Sequence, residues 1–320
     1  MDRRTFLQSL ARAGALGAGA GGLGAWLKGR SERPVEAGAV AVKRRQLLAD
    51  NPGLPLLATA RGESPRALVR AAVESLGGMS RFVQRGELVV VKPNIGWDRA
   101  PDLAATTNPD VVAEVVRLCR EAGARQVVVT DVSCNDARAS FDRSGIAAAA
   151  SAAGATVILP EPHRFRTVNL RGDTLTEWPV LEPFTTADKV INVAIAKHHS
   201  LTGVTLGMKN WYGVIGGQRD RLHQRIHESL ADLTSFVAPA LTIIDGYLVL
   251  RRNGPTGGSL SDVERRKTVV ASADPIAADA YAARLFFELD PPQLPFLRLG
   301  EARGLGHLEF DVARLAERTV

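Results

Sequence analysis

The stretch GELVVVKPNIGWDRAPDLAATTNPDVVAEVVRLCREAGARQVVVTD, residues 86–131, decides the fold. Glu87–Lys92 is a short Val-rich run bounded by Gly86 and Pro93. That is the pattern of a strand buried on both faces. Asn108 and Pro109 then start a helix, as N-cap and first helical residue. Val111, Val112, Val115, Val116 and Leu118 lay an apolar stripe along it, and Gly123 ends it. Gln126–Asp131 is the next strand. The whole is a βαβ unit, which fixes a parallel pair with a right-handed crossover.

The alternation continues outward. A helix is predicted near Ser144–Ala153 and a strand at Ala155–Leu159. Further strands are predicted at Lys189–Val193, Leu241–Asp245 and Thr268–Ser272, and a helix from Pro275. The C-terminal stretch from Pro291 reads as short helical pieces. Glu161–Thr186, interrupted by prolines, reads as a small β-rich excursion. The expected fold class is α/β: a mostly parallel sheet of Rossmann-like βαβ units, with helices on both faces and that excursion.

In parallel sheets, ligands bind beyond the carboxyl ends of the strands. Polar residues gather where those ends are expected. Lys92 and Asn94 follow the first strand and Asp131 the second. Lys197, His198 and His199 follow Lys189–Val193. Asp245 and later Gly257 follow Leu241–Asp245, and Asp274 follows Thr268–Ser272. Lys92, Lys197 and Lys209 stand in apolar or Gly-rich surroundings, where a lone ammonium is costly. Two readings fit them: structural ion pairs with Asp131, Asp245 or Asp274, or a pocket for phosphate, carboxylate or an enolate-like charge. Thr202–Gly217, with five glycines in sixteen residues, reads as a loop wrapping closely on a ligand, and it carries Lys209 and Asn210. His223 and His227, four apart, share a face if their segment is helical, and His199 is a third candidate metal ligand. No Walker pattern, dinucleotide Gly fingerprint or Gly-x-Ser-x-Gly elbow is present. Cys134, after a strand, is a weaker candidate nucleophile. Cys119 and Cys134 are expected at opposite edges of the sheet, too far apart to pair.

Composition narrows the partners. Of 40 Lys/Arg and 34 Asp/Glu, residues 1–43 hold seven and three; the remaining 33 and 31 give the body a net charge of only +2. Nucleic-acid binding, which needs a concentrated basic footprint, is not expected. Arg3-Arg4-Thr5-Phe6-Leu7 followed by an Ala-, Gly- and Leu-rich stretch reads as a twin-arginine export signal. Residues 1–43 are therefore expected to be signal and linker, and 44–320 a single α/β domain. The translocase is then a transient partner. The location is periplasmic, or membrane-anchored through an uncleaved signal.

The same ordered pieces resemble a bacterial and archaeal family known as domain of unknown function 362. They are VVVKPNIG at 89–96, TTNPDVVAEVV at 106–116, GARQVVVTD at 123–131, DKVINVAIAKHHSLTGVTLGMKNWYGVIGG at 188–217, His223, LTIIDG at 241–246, NGPTGG at 253–258, ASADPIAADAYAARL at 271–285 and EARGLG at 301–306. The resemblance implies an α/β fold and a shared ligand site but no reaction. Some relatives carry ferredoxin-like cysteine motifs; this chain has none, so no iron–sulfur cluster is expected. The His/Lys loop after a strand is also similar in layout to nickel-dependent lactate racemases.

Two functions fit these residues. One is an enzyme for a small anionic substrate. Lys92, Lys197, His199, Lys209 and Asp131 would be its catalytic groups, and Asn94, Asn210, Asp245, Gly257 and Asp274 its substrate contacts. His199, His223 and His227 would hold a transition metal if one takes part. The other is a periplasmic metal- or anion-binding protein without catalysis.

Overall fold

The computed structural model describes residues 42–320. The expected export signal, except for its last residues, lies outside them. Lys43 already belongs to the body: its backbone N–H donates to Thr185 O at 2.8 Å and its ammonium pairs with Asp188.

Eleven strands are formed among the described residues: β1 (Leu57–Arg61), β2 (Leu88–Pro93), β3 (Gln126–Val129), β4 (Thr156–Val157), β5 (Phe165–Asn169), β6 (Glu177–Leu181), β7 (Lys189–His199), β8 (Gly203–Thr205), β9 (Leu241–Leu250), β10 (Val263–Ser272) and β11 (Leu315–Thr319). The main sheet runs β11-β1-β10-β9-β7-β2-β3-β4, with β8 folded back on β7. The run from β9 to β4 is parallel throughout. The expected α/β fold with a mostly parallel sheet is present. The central βαβ unit is as read, with Asn108 Oδ1 accepting from Asp110 N at 2.9 Å to cap the helix Pro109–Glu121.

Period-2 alternation sorts the strands between two cores. Val90, Val128, Val190, Ile244 and Val270 face one side, with the helices Ile226–Val237, Pro275–Phe287 and Pro295–Ala302. Val89, Val91, Val129, Ile191, Val193 and Ile243 face the other, with Pro65–Ser75, Pro109–Glu121 and Ile146–Ala152. Helices thus cover both faces. The excursion is the β5–β6 hairpin, a separate two-stranded sheet.

Three expectations are corrected. Strand β10 is antiparallel to both β9 and β1. Its carboxyl end therefore lies at the sheet edge opposite the parallel strand ends. Strands β7 and β9 run well past Val193 and Asp245, so Asp245 is mid-strand, paired in register with Ile195. The segment 202–217 is not one loop: it forms β8, the short helix Gly207–Asn210 and a 3-10 turn Trp211–Val214.

That short helix is held from behind by Asp279, buried in the helix Pro275–Phe287. Its carboxylate oxygens accept from Gly207 N at 2.7 Å and Met208 N at 2.8 Å. A Cβ on residue 207 would come within 2.7 Å of Asp279 Oδ1, so glycine permits the approach. Asp279→Asn keeps one acceptor but sets an amide N–H₂ against the second backbone donor. The expected cost is about 1–3 kcal/mol of stability, read from the urea midpoint.

Candidate functional site

The parallel strand ends of β2 and β3, the β7–β8 hairpin and the segment 209–223 surround a cavity of about 470 Å³. Lys92, Asn94, Asp131, Cys134, Lys197, His199, Lys209, Asn210, Tyr212, Arg219 and His223 all line it. Nine of the residues singled out in the sequence, Cys134 among them, therefore meet in one place.

The three lysines differ in what holds them. Lys92, 1% exposed, is saturated: its Nζ donates to Asp131 Oδ1 at 2.7 Å, Asn210 Oδ1 at 2.7 Å and Pro93 O at 2.9 Å. Burial still pulls its pKa down, against the pull of Asp131. Asp131 also accepts from Ile95 N at 2.5 Å and Val132 N at 2.9 Å. Lys197 donates to Asn94 Oδ1 at 3.1 Å and Ala105 O at 2.5 Å, neither of them charged. Burial, against which a nearby Cys134 thiolate would pull, brings its pKa down to about 7. Lys209, 9% exposed, has no hydrogen-bond acceptor or carboxylate among the described residues. Its Nζ lies 4.1 Å from the centroid of the Tyr212 ring, and burial lowers its pKa to about 8.

Asparagines lock this arrangement. Asn210 Nδ2 donates to Asn192 Oδ1 at 2.8 Å and Lys92 O at 3.2 Å, and its Oδ1 also accepts from Asn94 Nδ2 at 3.0 Å. With its amide taken up by protein groups, Asn210 positions Lys92 rather than a ligand. Gly213 crosses directly over the ion pair; a Cβ there would overlap Asp131 Oδ1 and reach 2.6 Å from Lys92 Nζ.

Histidine chemistry departs from expectation. His199 Nδ1 accepts from Leu201 N at 3.1 Å and Thr202 N at 3.4 Å. Its proton therefore sits on Nε2, which acts as a donor and not as a metal-binding lone pair. Burial and the two neighbouring lysines push its pKa down to about 3, so it stays neutral and is not a proton shuttle near pH 7. His223 stacks on Tyr212 with centroids 5.7 Å apart. His227 packs on Phe296 at 6.2 Å and does not line the cavity. The helix carrying His227 begins only at Ile226, whereas His223 belongs to the preceding 3-10 segment, so the shared face is lost. Among the described residues no three His, Cys, Asp or Glu side chains are placed to hold a metal ion. The expected His199–His223–His227 metal set does not fit this site.

Three other expected contacts lie elsewhere. Asp245 accepts from Asn108 N at 2.7 Å and Tyr247 N at 3.0 Å, and burial raises its pKa to about 6. Asp274, following the antiparallel β10, caps the helix Pro275–Phe287 and also bonds His307. Gly257 is not in the lining, although the nearby Pro255 is. Sequence reasoning missed Asn192, Tyr212, Arg219 and Gly213. Arg219 grips the rim through Val132 O, Ser133 O and Tyr212 O at 2.8–3.1 Å. Cys134 is exposed and Cys119 buried, and both are free thiols, as expected.

Removing one member of a buried ion pair strands the other charge. Asp131→Asn is expected to cost about 3–5 kcal/mol in urea unfolding. Gly213→Ala should lower stability by separating the same pair.

Residues 89–284 match the family described as a domain of unknown function (DUF362). A thylakoid-associated protein of Synechocystis sp. is 29% identical over 247 residues, covering 75% of each chain. Among solved structures, the lactate racemase apoprotein from Thermoanaerobacterium thermosaccharolyticum aligns with a TM-score of 0.42 at 10% identity, over 76% of this chain and 61% of that one. A protein from Thermotoga maritima aligns with a TM-score of 0.37 at 12% identity, over 77% and 60%. The chain spans about three fifths of the length of these two structures, and such loose alignments say nothing of its chemistry. The family match takes in Lys92, Asp131, Lys197, Lys209 and Asn210 and covers more than half of the chain: the protein belongs to the DUF362 family.

Proposed function

We propose that this cavity takes a small carboxylate- or phosphate-bearing molecule and that the protein is an enzyme acting on it. One observation carries the reading: Lys209, nine-tenths buried, opens on the cavity with no acceptor or counter-charge among the described residues. A buried ammonium needs an anion; of the two carboxylates lining the cavity, Asp131 is engaged by Lys92 and Asp220 forms no ion pair with Lys209. Lys197 and Arg219 add positive charge to the same wall. His199 Nε2–H is a fixed neutral donor of the kind that polarises a substrate oxygen.

The amines near neutrality favour chemistry over storage. A binding protein needs only fully charged cations, whereas Lys197 at about 7 and Lys209 at about 8 are poised to exchange protons. Arg3-Arg4 supports export of the folded chain by the twin-arginine route, to the periplasm or to a membrane-anchored form.

The pH dependence follows from the sign of these shifts. Protonated lysines hold the anion, so affinity for inorganic phosphate or a small dicarboxylate should be greatest below about pH 7. It should fall as pH rises through the range 7–8. Binding should take up protons from the buffer, read by calorimetry in buffers of different ionisation enthalpy. Lys209→Ala should remove the anion-induced thermal shift while leaving the circular dichroism spectrum unchanged. An unchanged thermal shift in that variant would defeat the reading.

A further inference from the structure

Three lysines share one cavity, and their hydrogen bonding separates them. Lys92 has three acceptors and is committed to the protein; Lys197 has two, which leaves one N–H for a ligand. Lys209 Nζ instead rests on the face of Tyr212, and its donors are free among the described residues. Its backbone is held rigidly: Asp279 grips Gly207 and Met208, and Asn210 is tied into the Asn192–Asn94 network. An amine that is buried, unbonded and fixed in a cavity anchors an anion while charged and is a nucleophile once neutral.

Its neighbours supply what such a nucleophile needs. A second cation close by makes the neutral amine easier to reach, and Lys92 and Arg219 are the charges that do so for Lys209, beside its burial. Lys197 and Arg219 remain to hold an anionic group. His199 Nε2–H and the Tyr212 hydroxyl, which is buried without a hydrogen-bond partner, are neutral donors lining the same space.

We propose that Lys209 condenses with the carbonyl of a small oxo acid whose carboxylate is held by Lys197 and Arg219. The inference rests on the anion-pocket reading and names its substrate class. In the step, the lone pair of the neutral amine attacks the carbonyl carbon, and the C=O π pair moves to oxygen, which takes up the nitrogen's proton. The resulting carbinolamine loses its hydroxyl as water, the departing oxygen taking one proton from solvent. A C=N bond remains, and no electron is transferred to or from an outside reagent. The iminium so formed is an electron sink for cleavage or deprotonation at the adjacent carbon.

The test is reductive trapping. The full chain is incubated at near-neutral pH with glyoxylate or pyruvate and cyanoborohydride, which reduces the C=N bond to a stable secondary amine. Peptide mapping by mass spectrometry then locates the adduct, and a parallel thermal shift with the same oxo acid, without reductant, reports binding. One adduct is expected, on Lys209, forming roughly tenfold or more faster than on surface lysines because more of this amine is neutral. It should vanish in both Lys209→Arg and Lys209→Met, the first of which keeps the positive charge should the second fail to fold. Excess inorganic phosphate should slow it. A thermal shift without a Lys209 adduct would overturn the condensation and leave the anion pocket standing. Labelling spread evenly over surface lysines would likewise overturn it. Neither a shift nor an adduct would overturn both.

Discussion

Burying the Lys92–Asp131 pair at the carboxyl ends of adjacent parallel strands sets the terms for everything around it. Both side chains are almost wholly out of solvent. Two charges taken from water recover their desolvation cost only if every remaining donor and acceptor is satisfied. The surrounding residues meet that demand. Asn210 and Pro93 take the other lysine protons, and the amides of Ile95 and Val132 take the carboxylate. Gly213 closes the top because no larger residue fits. The cavity is what lies beside this satisfied centre.

The same residue type therefore serves three purposes within one wall. Lys92 is structural, Lys197 is half committed, and Lys209 faces the cavity. Burial alone does not distinguish them, since all three are nearly dry. The distinction lies in the count of acceptors, which is set by backbone carbonyls and asparagine amides in other elements. Asn192, deep in β7, supports Asn210 from the far side and so acts on the site without touching the cavity.

Much of this was legible in the sequence. Whereas β3 ends at Val129, two residues before Asp131, the Val-rich run before Lys92 and the Asn108-Pro109 helix start were read correctly because local pattern determines them. The direction of β10 was not, and it removed Asp274 from the site. A signal existed: no helix-length apolar pattern separates Leu250 from Val263, and a parallel pairing needs a crossover. Asp245 was lost because β7 and β9 continue past the apolar runs, with a register shift between Ile195 and Lys197. The His223–His227 spacing misled because a 3-10 segment ends between them, and nothing local marks that break. Asn192 and Gly213 matter only through contacts with residues distant in the chain, which no spacing rule reveals.

The long strand β7 also acts as a ruler. Lys197 and His199 line the cavity, while His198 between them faces away and accepts from Gly254 N at 3.2 Å. Since side chains alternate with a period of two, a one-residue insertion or deletion before Lys197 would exchange the two sets. A deletion would stand the His198 imidazole where the ammonium is, and an insertion would stand Lys197 where His198 accepts from Gly254 N. Strand length here is part of the site's chemical specification.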